Sequence, residues 1–361
     1  MSESAQSEEK RIAVFGAGFT SAVAARIINH HPELRLAVVT SRSHAGGRFD
    51  WMSQDWAVPL RGVPVNLEHP SNVLEDPESW RLDGALVTYA GAESIEAVAS
   101  LREVDVPVVH LGGDFRLRDP EVRREQYGSN PEVDELLANG SVAYGLTELY
   151  RAEIDQAEIV ANPGCYPDAS VLGLAPLARE GLIESVHIEA YSGTSGGGIE
   201  KAAEYRSASE DIIKYGENGH RHVPEIEQEL AALGSACTVE FRPHAIKDVF
   251  QGMSVSCTVT LNRDAFPDEI EALYRDAYRD EPFVEVVSGP SPVTMDNVRE
   301  TNLCRMYVAP LQAGEGTKFS VKVVIDNLWK GASGQAVQNL NRMLGLPEET
   351  GLEFSLMSSR T

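Results

Sequence analysis

Hydrophobic positions follow one rule before residue 165 and another after it. In "RIAVFGAGFT" (11–20) an apolar run ends in glycine, "SAVAARIINHHPEL" continues with amphipathic helical spacing closed by Pro32, and "RLAVVTSRS" is a second buried run. Together they predict a β-α-β unit. The runs "DGALVTYAG" and "VPVVHLGGD", separated by the helical "AESIEAVASLREV", extend the alternation into a doubly wound parallel sheet, whose ligands sit at the strand C-termini. Beyond residue 165 the period drops to two in "SVHIEAYSG", "CTVEFRPHAI", "GMSVSCTVTL", "FVEVVSG", "CRMYVAPL" and "KFSVKVVIDNL", with "PDEIEALYRDAYRD" one clear helix among them. A mostly antiparallel sheet covered by helices is expected there, a second domain of α+β type. "ASGQAVQNLNRML" is helical again. The expected plan is a polar tail over 1–10, a parallel α/β domain over 11–164 completed by the C-terminal segment 331–361, and an α+β domain over 165–330.

A length of 361 residues suits two domains. Fifty-five acidic against 31 basic residues give a formal charge of −24, which repels a phosphate backbone and argues against nucleic acid as a partner. No apolar run is long enough to cross a bilayer, and the acidic "MSESAQSEEKR" is neither a secretory signal nor a basic arm, so no membrane partner is expected. The cysteines at 165, 237, 257 and 304 show neither the close pairs of a zinc site nor a disulfide framework. That predicts no metal and a reducing, cytoplasmic setting.

Candidate chemistry lies at the turns. Gly16 and Gly18, between a strand and a helix, suit a dinucleotide pyrophosphate, although Ser21 stands where a third glycine would fall and a plain structural turn has the same look. Ser41, Arg42 and Ser43 end the second strand without an acidic residue at its tip. A cation and hydroxyls there favour NADP over NAD, the alternative being a solvated loop. Tyr191–Gly198, "YSGTSGGG", can wrap a nicotinamide or phosphate with backbone amides or merely turn. Arg116 in "DFRLRDP" can pair with a carboxylate or phosphate, or with a surface acid. His220 and His222 precede a helix expected to begin at Pro224, and one of them can serve as acid and base to a cysteine. In "VANPGCYPDASVLGLAPLAR", Asn162-Pro163-Gly164 turns the chain and places Cys165 at a helix start. Unpaired N–H groups and the helix dipole favour a thiolate there; a small packing cysteine is the other reading.

In this order "DFRLRDP", "YGLTEL", "NPGCYP", "SGTSGGG", "HRHVPEIEQEL" and "DNLWKGASGQAVQNLNRMLGLPE" resemble the N-acetyl-γ-glutamyl-phosphate reductase family of the semialdehyde dehydrogenase superfamily, from about Arg11 to Leu352. The resemblance implies an NADP-binding Rossmann-type domain, a catalytic and dimerisation domain, and NADPH-dependent reduction of an acyl phosphate to a semialdehyde through a thioester on Cys165. His222 is then the acid–base residue. It further implies cofactor contacts at Gly16, Gly18, Phe19, Thr20, Ser41, Arg42, Ser195, Gly196 and Asn327. Substrate contacts fall at Asn162, Arg116, Tyr191 and His220, and the assembly is a homo-oligomer, dimer or tetramer. Departures from the family pattern are the shorter glycine loop ending at Ser21, a histidine missing from "VTYAGAES", His110 for aspartate, Asp168 for threonine and Gln251 for arginine. Asp168 is expected to cap the helix through backbone N–H groups; otherwise its charge disfavours the thiolate. These departures keep two alternatives open: the same reduction on a glutamyl or aminoadipyl phosphate presented by a carrier protein, and a catalytically silent nucleotide-binding paralogue.

Overall fold

Seven short runs of β-branched and small apolar residues associate in the first part of the computed structural model, which describes residues 9–49, 63–216, 219–288 and 293–353. They are β1 (Lys10–Phe15), β2 (Leu34–Thr40), β3 (Leu67–Glu68), β4 (Gly84–Val87), β5 (Val108–His110), β6 (Val142–Tyr144) and β7 (Ile159–Ala161), in the order β3-β2-β1-β4-β5-β7-β6. Every pairing is parallel. The helices are α1 (Phe19–His30), α2 (Pro70–Leu74), α3 (Ala92–Arg102), α4 (Pro120–Tyr127), α5 (Pro131–Ala138) and α6 (Thr147–Ile154). Strand order reverses between β1 and β4, so the ligand crevice of this sheet lies beyond their C-terminal ends. β1 already begins at Lys10, within the expected tail, and residues 1–8 lie outside the described ones.

His110, at the end of β5, is entirely buried. Ser94 Oγ donates to the Gly91 carbonyl at 2.7 Å and therefore accepts from His110 Nε2 at 3.0 Å. Burial, with help from the Arg116 charge, lowers the imidazole pKa to about 3, against a backbone hydrogen bond at Gly112 that pulls the other way. Between the ordinary histidine value of about 6.5 and that depressed one, the unfolded chain binds a proton that the folded chain refuses, so stability falls as pH falls through this window. His110→Gln, which keeps a donor for Ser94, is expected to flatten the decline in thermal stability from pH 7 to pH 5 by on the order of 2 kcal/mol. Equal slopes for both proteins in a denaturation series overturn this assignment.

The second sheet is built from β8 (Ile183–Gly193), β9 (Ile212–Lys214), β10 (Thr238–Ile246), β11 (Met253–Ala265), β12 (Val284–Val286), β13 (Cys304–Pro310) and β14 (Gly316–Ile325), in the order β12-β13-β14-β11-β8-β10-β9. It is mostly antiparallel, with β8–β10 and β12–β13 parallel. One face is covered by α7 (Cys165–Arg179), and α8 (Gly198–Ser207), α9 (His222–Leu233) and α10 (Pro267–Ala277) complete this part. α7 is buried nearly all round, as a helix apolar on every side must be. Gly173 lets it approach the sheet, because a Cβ there would lie 2.6 Å from Val323 Cγ2, and Tyr274 of α10 donates to the Gly173 carbonyl at 2.6 Å.

Contacts divide the chain into two units: one ends at Asn162 and resumes at Ser333, the other spans Pro163–Ala332. The division falls slightly earlier than residue 164 because the Gly164 N–H is bound by Glu225 of α9, at 2.9 Å. α11 (Gly334–Met343) belongs to the first unit, where it packs on α1 and α6. Among the described residues no helix is long and apolar enough to cross a membrane.

Candidate functional site

A buried asparagine, Asn162, directly follows β7. The Asn162 N–H donates to the His110 carbonyl at 2.9 Å, its carbonyl accepts from Arg116 Nε at 2.8 Å, and its Oδ1 accepts from Asn339 of α11 at 3.0 Å. Arg116, buried, also donates to the Leu111 carbonyl at 2.6 Å. The geometry thus gives both residues, expected as substrate contacts, the work of fixing the last residue before the turn.

Gly164 then caps α7, and Cys165 is the first residue of the helix, half-buried, with the first-turn amides around it. The capping role expected of Asp168 is not met. The cap position is held by Gly164, and Asp168 lies four residues on, fully buried, with its own N–H donating to the Gly164 carbonyl at 2.8 Å. Gly331 comes close from a π-helical turn at Trp329–Ser333: a Cβ there would stand 2.9 Å from Cys165 Cβ. Such turns are frequent where a helix is deformed for function.

α9 starts two residues earlier than its proline suggested, so His222 is its first helical residue rather than part of a loop. The imidazole lies flat against the turn, since a Cβ on Gly164 would be 2.5 Å from His222 Nε2. His222 is therefore packed on the residue that precedes the thiol. His220 is different: burial and the neighbouring Arg221 charge lower its pKa to about 4, and its Nδ1 accepts the His222 N–H at 3.2 Å. It is a neutral ring at pH 7, suited to contact and ill suited to act as base. Tyr166 meets both histidines edge-on, each at 5.9 Å, and its hydroxyl hydrogen-bonds that of Tyr215 at 2.6 Å. Burial pushes both phenols above their ordinary pKa, so both hydroxyls stay protonated.

Glu225, Tyr166, Tyr215 and Gly331 went unread in the sequence. Glu225 had a signal: three residues after His222 it shares a helix face with it, once the helix is started at His222.

The glycine-rich segment after β8 is pinned from below. Asn327 Nδ2 donates to Ser195 Oγ at 3.0 Å while its Oδ1 accepts the Gly252 N–H at 2.7 Å. Asn327 thus ties the segment, through Ser195, to the Gly252 backbone. Close approach demands glycine at 196, where a Cβ would lie 2.8 Å from Ser192 Oγ. Gln251 donates to the fully buried Asp326 at 2.7 Å, and burial raises that carboxyl's pKa against its amide donors. Tyr191 does not join Cys165. The α7-facing row runs from Val323 and Val321 through Val255 and Cys257 to Ala190 and Ile188, and strand alternation turns Tyr191 to the opposite face. There it stacks on His244 at 4.8 Å and donates to Glu189 at 3.2 Å.

In the first unit, Gly16 takes φ +116°, and a Cβ on it would lie 2.2 Å from Thr88 Oγ1, so glycine is required twice over. Ser21, in place of a third glycine, accepts the Gly18 N–H at 3.2 Å and bonds Thr88 Oγ1 at 2.7 Å, tying α1 to the end of β4. A Cβ on Gly18 would meet nothing within 4 Å, which leaves its outer side open to a ligand. Phe19 is buried, so a cofactor can meet only its main chain, and the Thr20 carbonyl accepts from Ser333 Oγ at 2.8 Å. A cavity of about 260 Å³ is lined by Gly16, Thr40, Ser41, Arg42, Tyr89 and Glu93 among others. Among the described residues, the buried Thr40 and Tyr89 hydroxyls meet no hydrogen-bond partner. A glycine turn at a helix start, a cation and two orphaned hydroxyls at a switch point fit the phosphate and ribose of a dinucleotide.

Comparison with known proteins bears on both units. Residues 11–157 match the family described as semialdehyde dehydrogenase, NAD binding domain, and residues 165–327 match semialdehyde dehydrogenase, dimerisation domain. An N-acetyl-gamma-glutamyl-phosphate reductase from Halorhodospira halophila is 42% identical over 349 residues, covering 94% of this chain and 96% of its own. One from Alkalilimnicola ehrlichii is 42% identical over 351 residues, with the same coverage of 94% and 96%. Aspartate semialdehyde dehydrogenase II from Vibrio cholerae, complexed with ASA, superposes with a TM-score of 0.70 at 16% identity, over 94% of this chain and 99% of that one. The Candida albicans aspartate semialdehyde dehydrogenase with NADP gives 0.67 at 15%, over 94% and 99%. At that identity the solved structures speak for the fold.

Proposed function

Since the chain belongs to the N-acetyl-γ-glutamyl-phosphate reductase family of semialdehyde dehydrogenases, we propose that it reduces N-acetyl-γ-glutamyl phosphate to N-acetylglutamate 5-semialdehyde and inorganic phosphate, with NADPH, in arginine biosynthesis. The observation that carries this reading is the placement of Cys165 at the start of α7 with the His222 ring seated against Gly164. It disfavours the silent paralogue. The free acyl phosphate is preferred over a carrier-linked one because the relatives at 42% identity are named for it.

Cys165 Sγ attacks the acyl carbon; a C–S bond forms and the C–O bond to phosphate breaks. His222 takes the thiol proton and passes it to the departing phosphate, while first-turn amides of α7 steady the oxyanion. A bound nicotinamide supplies the hydride that reduces the thioester carbon. Cys165 then leaves as thiolate, releasing the aldehyde, and His222 returns a solvent-derived proton to it. Neutral His220 serves as a substrate contact. Arg42 in the first unit's cavity supports NADPH over NADH, through the 2′-phosphate. Four free cysteines suit a reducing cytoplasm. The dimerisation description of the family matching 165–327 supports a homo-oligomer.

The test runs the reaction backwards. N-acetylglutamate 5-semialdehyde with NADP and inorganic phosphate is expected to give NADPH at a rate that rises with phosphate. No turnover on the free semialdehyde, at any phosphate concentration, overturns the substrate assignment.

A further inference from the structure

The cavity at the ends of β1, β2 and β4 holds an anion that a phosphate-binding pocket does not call for. Glu93, in the first turn of α3, forms an ion pair with Arg42, with about half of each side chain exposed. Both line the cavity that holds the orphaned Thr40 and Tyr89 hydroxyls. Resting on the reading that Arg42 meets the cofactor's 2′-phosphate, the inference concerns what the carboxylate does to that contact. A phosphate arriving at Arg42 must displace Glu93 or lie beside it, and either way it meets a like charge. A ribose that ends in a 2′-hydroxyl brings no charge and offers a donor to the carboxylate.

We propose that Glu93 is a specificity-determining residue for the cofactor: it holds Arg42 at the cavity, weakens binding of the 2′-phosphorylated dinucleotide and supports binding of the unphosphorylated one. The chain is thereby less selective for NADPH than Arg42 alone would make it. The position of Glu93 gives this weight, since the helix N-terminus favours a charged carboxylate there.

The test is a fluorescence titration of the full-length protein with NADPH and with NADH, giving Kd without turnover. Glu93→Gln is expected to bind NADPH about three- to fivefold more tightly, the scale of a half-exposed charge pair, and NADH more weakly. Arg42→Ala is expected to weaken NADPH about tenfold or more, as for loss of a charge-assisted hydrogen bond, with NADH nearly unchanged. In the Arg42→Ala background Glu93→Gln is still expected to favour NADPH, because the repulsion is direct. If Arg42→Ala is selective for NADPH while Glu93→Gln leaves NADPH unchanged or weakened, the proposal for Glu93 is overturned and the Arg42 reading stands. If Arg42→Ala costs both cofactors equally, the 2′-phosphate contact is wrong and Glu93 falls with it.

Discussion

Cys165→Ser is expected to lose phosphate-dependent turnover by about 10⁴-fold or more, the scale on which removing a nucleophile that works with its base lowers kcat. The substitution exchanges sulfur for oxygen at a half-buried helix start and leaves the glycine cap of α7 untouched, so folding and thermal stability should change little. NADPH affinity should be retained, because the cavity proposed for its adenosine end is lined by residues at the ends of β1, β2 and β4 and the starts of α2 and α3, with Cys165 not among them. Chemistry provides an independent check. Cys257 and Cys304 are buried, the Cys257 thiol is pushed up to about 12 by burial, and burial with the Glu227 charge raises that of Cys237. Alkylation near neutral pH should therefore modify Cys165 first and abolish activity in step, while the serine variant takes up reagent slowly. Activity above roughly a hundredth of the unmodified enzyme in Cys165→Ser would sink the thioester route.

Much of this architecture is legible in local pattern. The alternation of buried runs and amphipathic helices gave the parallel sheet, and the change to period two gave the antiparallel one, because both patterns report which face of an element is buried. Cys165 and the Gly16 turn were readable for the same local reason: a helix start and a strand end are written in a few consecutive residues. What failed was whatever depends on partners far along the chain. Tyr191 sits in a plausible loop-end motif, yet its side follows from the register of β8 against β11 and of β11 against β14. Arg116 and Asn162 read as substrate groups from local motifs alone; their further work, Arg116 on the Asn162 and Leu111 carbonyls and Asn162 on the Asn339 amide, shows only once distant segments are placed. Asp168 has a capping residue's chemistry at a position one turn too late. Glu225 was hidden by a proline: Pro224 fits the first turn of a helix, which made it a natural start and left His222 outside.

Gly164→Ala is expected to lower kcat about 10²-fold, the order that a 1 Å misplacement of a catalytic group costs. The backbone is not the reason. Gly164 has φ −67° and ψ 151°, an extended conformation open to any residue. Space is the reason, because the added methyl carbon would lie 2.5 Å from His222 Nε2, 2.8 Å from Cε1 and 2.9 Å from Cδ2. His222 is buried, with His220 4.7 Å and Tyr166 5.9 Å from its ring. The imidazole must therefore move away from the thiol's turn against packed neighbours, at a cost of about 1–3 kcal/mol in stability, as for other overpacked sites. NADPH affinity is expected to hold, which separates a displaced base from a misfolded protein. The decisive measurement is a double-mutant cycle with His222→Asn. If the methyl acts only by moving His222, adding Gly164→Ala to His222→Asn should cost much less than the same change costs in the unmodified enzyme. Full additivity of the two losses, or an unchanged kcat in Gly164→Ala alone, would show that the ring packed on Gly164 is not the group that moves the proton.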